Sequence, residues 1–316
     1  MESAASIGVP LAAVARPSRA SARSRWLRSA AWDGFWMQSA LWLAPIALWL
    51  AWGYADPARS PLDVLYFGLT ALFWIGHRLS STYLAYCTEA YRPLLRTQPI
   101  RFVVLPLAIA AACFAVFLPA DDALPWPRQE RLIWLAIVDY AFVTYHFAAQ
   151  HFGALSIYRS RAGRAACPRT RRMDRVFALL IGGLLVLVAD VLAGAVAYQS
   201  EWIDRGYFPT LLASTADEVR LVATSVLTAT TALMLLVELR SAQVSLPRVL
   251  YVVGLAVMVG IALQPRGLFP FLVIWTSQHW ILAVGLTSQT ASREPAPARG
   301  ALRGALHRVN VRPWAL

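Results

Sequence analysis

Lysine is absent from this chain of 316 residues, and charge of any kind is scarce: charged side chains make up 15% of it. Soluble domains average about 25%, so the deficit excludes an ordinary water-soluble enzyme fold. Cysteine is nearly missing too. Cys87, Cys113 and Cys167 form no C-x-x-C pair and no disulfide framework, and they read as small packing residues. Several chemistries lack their motifs: there is no phosphate-binding G-x-x-x-x-G-K-[ST], no G-x-S-x-G nucleophile turn, no D-D-x-x-D and no H-E-x-x-H. No repeat of domain-building length is visible. In their place stand 58% hydrophobic residues, 13 Trp and a mean hydropathy of +0.52.

The apolar residues gather into runs. A bilayer core of about 30 Å needs about 20 of them in a helix. Such runs lie at 34–53, 61–87, 102–119, 131–157, 176–198, 220–239, 248–264 and 268–290. The expected fold is therefore all-α, a polytopic membrane bundle of about eight transmembrane helices. It divides the chain into an Arg/Ala/Ser-rich arm (1–30), a membrane domain (31–291) and a basic tail (292–316).

The net charge of +12 comes from 29 arginines, and their placement decides what it means. Cytoplasmic loops of membrane proteins carry the excess of positive charge. With the first residues inside, 22 of the arginines fall in inward segments, six in outward ones, and Arg78 within the second span. That pattern is a topology signal rather than a nucleic-acid surface. It places both termini in the cytoplasm and the protein in a membrane, expected to be the bacterial inner membrane. Residues 2–15 lack the basic start and apolar core of a signal peptide.

An Asp or Arg near the bilayer centre costs at least about 2.5 kcal/mol on insertion scales, so each ionisable residue inside a span asks for a partner or a role. They are His77, Arg78, Asp139, His146, His151, Asp190, Glu238 and His279. Arg78 is expected to pair with Asp139 or Asp190, or to extend toward the inner face. Four of the five histidines fall on three spans, all between the midplane and the cytoplasmic face, roughly 16 to 30 Å along their helices. His307, in the tail, has no expected role.

Asp139, His146 and Gln150 share a helical stripe. His151 follows His146 by five residues, about 140° around a regular helix, so both reach one ion only through a local π-bulge or from opposite flanks. Neutral imidazole is a common ligand of first-row metals, which makes His77, His146, His151 and His279 candidate metal ligands. Asp139, Gln150 and Gln278 are the candidate catalytic residues around them, orienting the imidazoles. Two other readings remain open. Histidines on different helices can bracket a haem, and the same polar groups can form a proton or transport path.

His151-Phe152-Gly153, between Tyr145-His146 and Tyr158-Arg159, resembles the H-F-G signature of the bacterial β-carotene dioxygenase family, the bacteriorhodopsin-related Brp and Blh proteins, and Ile75-Gly76-His77 is similar to its early G-x-P-H-G box. The resemblance implies an all-helical membrane enzyme whose histidines hold iron and which cleaves a carotenoid with O2. Residue by residue it points to His77, His151 and His279 as ligands. Together these readings lead to an expected membrane oxygenase with Fe(II), O2 as co-substrate, the lipid bilayer and a lipophilic small molecule as partners, and no nucleic acid. The alternative class is a transporter or proton-coupled membrane protein.

Overall fold

The computed structural model describes residues 25–53, 60–89, 91–118, 126–164, 167–189, 192, 215–241, 243–264, 268–294 and 301–312. Among them there are helices and no strand. The helices are α1 (Ala30–Trp36), α2 (Ser39–Gly53), α3 (Ser60–Cys87), α4 (Arg92–Thr97), α5 (Leu105–Phe117), α6 (Arg128–Arg161), α7 (Pro168–Gly182), α8 (Ala216–Leu239), α9 (Leu246–Ala262), α10 (Leu268–Ala291) and α11 (Ala301–Val311). Two π-helical turns precede α5 (Ile100–Val104) and follow α7 (Gly183–Ala189).

Over the described residues the apolar runs fall on helices whose ends are set by local chemistry, but not one to one: 34–53 is divided between α1 and α2, and 176–198 leaves α7 at Gly182, continues as a π-turn to Ala189 and then passes largely outside the described residues. Ser29 caps α1, its hydroxyl accepting from Trp32 N at 3.1 Å. Proline opens α7 and α9, where a missing N–H costs nothing. After α6, Gly163 adopts φ 73°, the left-handed conformation that ends helices and that glycine takes without steric cost. Two helical stretches are long and apolar enough to cross a membrane: Ile100–Phe117, with mean hydropathy 2.4 and no residue buried in the protein, and Ala216–Leu239, with mean hydropathy 1.8.

The packing forms two groups. In one, α10 lies against α1, α2, α3 and α11; in the other, α6 lies against α5 and α7, and α7 against α8. Helix α9 joins them, resting on α2 on one side and on α8 on the other. Glycine permits the closest approaches. A Cβ on Gly285 would lie 2.6 Å from the Trp36 Cβ, and one on Gly182 would lie 3.0 Å from the Thr144 carbonyl. Gly254 likewise lies close to α2, where a Cβ would meet the Leu41 Cγ at 3.0 Å, whereas Gly183 has open space beside it.

A buried ionic network closes one end of the second group. Asp174 of α7 accepts from Arg159 of α6 and from Arg248 of α9, both at 2.5 Å; Arg248 also reaches Glu238 of α8 at 3.0 Å, and Arg164 reaches the other Glu238 oxygen at 2.5 Å. The Ser245 amide donates to Glu238 as well, at 2.8 Å. These arginines carry the inward charge bias of the sequence, yet here they are structural partners of two carboxylates.

The basic tail is not featureless. His307 of α11 is buried and its Nδ1 lies 2.6 Å from the Tyr83 hydroxyl of α3, while Arg303 donates to the Cys87 carbonyl and to Glu89. The expectation that His307 is idle is corrected: α11 is amphipathic and folds back to cover the end of α3. Hydrogen bonds from Arg303 and Arg92 hold the Glu89 carboxyl below its ordinary range.

Asp174→Ala leaves Arg159 and Arg248 buried without a carboxylate and should cost about 3–5 kcal/mol, read as a lower thermal midpoint in detergent. His307→Ala should abolish hydrogen-exchange protection across 301–311. The Glu89 contribution to docking is present above the ordinary carboxylate range and is lost as pH falls through its lowered value, so acidification should expose the same amides.

Candidate metal centre

Three helices converge on one point. His77 comes from α3, His146 from α6 and His279 from α10, and one ring nitrogen of each lies within 4.8 Å of the other two. The His279 ring stands edge-on to both others, with centroids 5.0 Å from His77 and 4.9 Å from His146. Two nitrogens bound at about 2.1 Å to a single ion are at most about 4.2 Å apart, so gathering the set needs ring movements of well under a rotamer change.

The site lies on the seam between the two helix groups. His279 is buried at its floor, His77 is half-buried on one wall and His146 is exposed on the other. Helices α3 and α6 make no extended contact with each other, so the walls stay apart above the floor. The seam is stitched by Gln150, whose amide nitrogen donates to the His279 carbonyl at 2.9 Å, and by Phe147, whose ring stacks on His279 at 5.7 Å. Ser81 lies 3.4 Å from His77 Nδ1, a contact that leaves Nε2 free to bind an ion.

The fourth histidine stays apart. Helix α6 runs from Arg128 to Arg161 without a π-turn, so the 140° offset between His146 and His151 is not relieved. His151 is fully buried, edge-on to Phe147 at 4.3 Å, with Nδ1 2.6 Å from the Tyr251 hydroxyl and Nε2 without a partner. Next along, Tyr158 donates to Asp33 at 3.0 Å, and Asp33 also accepts from the Leu27 and Arg28 amides at 2.7 and 3.0 Å.

The other expected residues divide. Gln150 positions His279 through its backbone. Gln278 is fully buried with neither amide atom partnered among the described residues. Asp139 is exposed two helical turns from His146 and is not one of the converging ligands. Arg78 pairs with no described carboxylate and instead lies over Trp74, its Cζ 5.6 Å from the ring centroid; Asp190 lies outside the described residues. Sequence reasoning passed over Tyr251 and the Asp174 network. The one visible signal was Asp174 itself, the single acid among seven arginines between 159 and 175.

Compared with family models, curated proteins and solved structures, the chain matches none. The site therefore rests on geometry. If His77, His146 and His279 hold an ion, Ala at any one of them should remove most bound Co(II) or Zn(II) in equilibrium dialysis, while His151→Ala should keep it.

Proposed function

We propose that the chain is a multi-pass membrane protein of eight spans, both termini cytoplasmic in a bacterial inner membrane. In this reading it is a metal-dependent oxygenase of a lipophilic substrate. The observation that carries it is the convergence of three imidazoles from three separate apolar helices on one point at an open seam. Isolated histidines in an apolar bundle have no reason to share one point, whereas ligands must. Two facts support the membrane setting: the Ile100–Phe117 stretch buries nothing in the protein, and Phe142 and Tyr145 beside His146 stand 65% and 63% exposed. Those side chains suit lipid or an apolar substrate better than water.

Three neutral nitrogen donors fit non-haem Fe(II), with Cu and Zn as chemical competitors. Bound there, Fe(II) would supply activation of O2 at positions the protein leaves open. The residues of the chain do the rest. Gln150 fixes the height of His279 through its carbonyl, Ser81 orients His77, and Phe147 closes the floor against water. The substrate would be a carotenoid, another isoprenoid or an acyl chain, admitted sideways between α3 and α6. The H-F-G resemblance supplies the carotenoid within that class, although the ligand set here uses His146 where the resemblance would use His151.

A second reading has its own observation. His151, Tyr251, Tyr158 and Asp33 are buried polar groups following one another toward the end of the bundle, as a proton path in a coupled transporter would require. It predicts no bound metal.

Protein purified without chelator should contain close to one equivalent of iron and show no Soret band. Less than about 0.2 equivalents of any transition metal, with no recovery on anaerobic reconstitution, would overturn the oxygenase and favour the path. His146→Ala should abolish O2 consumption with lipophilic substrate and leave membrane insertion unchanged.

A further inference from the structure

Arg78 directly follows His77 on α3, nine residues short of the helix end at Cys87. Its side chain is exposed and stacked on Trp74, and no described acidic residue pairs with it. Neither of the described carboxylates of α6, Glu130 and Asp139, makes an ion pair with it. An unneutralised guanidinium in an apolar helix is costly, and residues are kept at such cost for what they bind. Around Arg78, α3 presents Trp74, Ile75 and Leu79, each 40 to 47% exposed, with Trp74 on the side nearer His77, and α6 presents Phe142 and Tyr145 beside His146, 65% and 63% exposed. An exposed apolar surface with one unpaired cation next to the histidine trio is complementary to an apolar molecule with one anionic end.

Resting on the reading of the histidine trio as the reactive centre, we propose that Arg78 is a specificity residue that pairs with the carboxylate of an acyl-chain substrate lying between α3 and α6. A single guanidinium matches a carboxylate in charge, and its planar fork matches it in geometry through two parallel N–H···O bonds. Because Arg78 adjoins His77, the carbons next to the carboxylate lie beside the histidines, and the tail runs outward along the aromatic walls. Within the lipophilic class, this selects a fatty-acid-like molecule over a neutral carotenoid.

The test uses the full chain, metal-free, in nanodiscs of phosphatidylcholine, with cis-parinaric acid and its methyl ester as probes read by energy transfer from tryptophan. The wild type should bind the acid about tenfold more tightly than the ester, the ratio expected of one charge-assisted pair. Arg78→Gln should erase that preference while ester binding is unchanged, which also shows that the variant is folded; Arg78→Lys should retain part of it. Equal binding of acid and ester by the wild type, or a preference that survives Arg78→Gln, overturns the proposal. So does loss of the preference on adding phosphatidylglycerol, since Arg78 would then belong to lipid head groups. Because no metal is present in the assay, a failure of the metal centre would leave this result untouched.

Discussion

The ion network around Asp174 is the constraint on which the second helix group depends. Three guanidinium groups and two carboxylates are removed from solvent together at the ends of α6, α7, α8 and α9. Such an arrangement is tolerable only when every charge finds its partner in good geometry. The network consequently admits one register between these helices. Sliding α6 by a turn would strand Arg159 and would move His146 by about 5.4 Å, well out of reach of the other two imidazoles. Electrostatics at one end of the bundle thus sets the placement of a histidine some three and a half turns away.

The seam holding the trio has the opposite character. At the trio it is joined by one amide hydrogen bond, one stacked ring and the histidines themselves, while farther along Tyr158 of α6 donates to Asp33 of α1 and α9 packs against both groups. A bound ion would act there as a clasp between the two groups, and its binding free energy would be shared with their association.

The sequence made the helices legible because apolar length is a one-dimensional property, and over the described residues the apolar runs fall on helices, although 34–53 is split between α1 and α2 and two of the described helical stretches are long and apolar enough to cross a membrane. Histidine depth was legible for the same reason: rise per residue places His77, His146 and His279 at similar heights. Azimuth was only half legible. The 140° offset raised the question of His151, but its answer lay in Tyr251, a hundred residues away and silent in any periodicity. Arginine misled differently. Arg159, Arg164 and Arg248 obey the topology rule as a group, and nothing in that rule distinguishes an arginine facing water from one locked against a buried carboxylate. Residue His307 shows the same limit, since the docking of α11 depends on a tyrosine 224 positions earlier.

That long separation also governs biosynthesis. Chains emerge at about 5–20 residues per second, so Tyr83 waits on the order of 10 to 45 s for His307 to be made. Through that interval the end of α3 is uncovered, and for most of it His77 is without His279. Helix α11 is therefore a seal applied late, to a bundle in which His279 has only just joined His77 and His146. The histidine trio is incomplete until α10 has been made, so an ion that needed all three imidazoles could be held only after residue 279 has emerged.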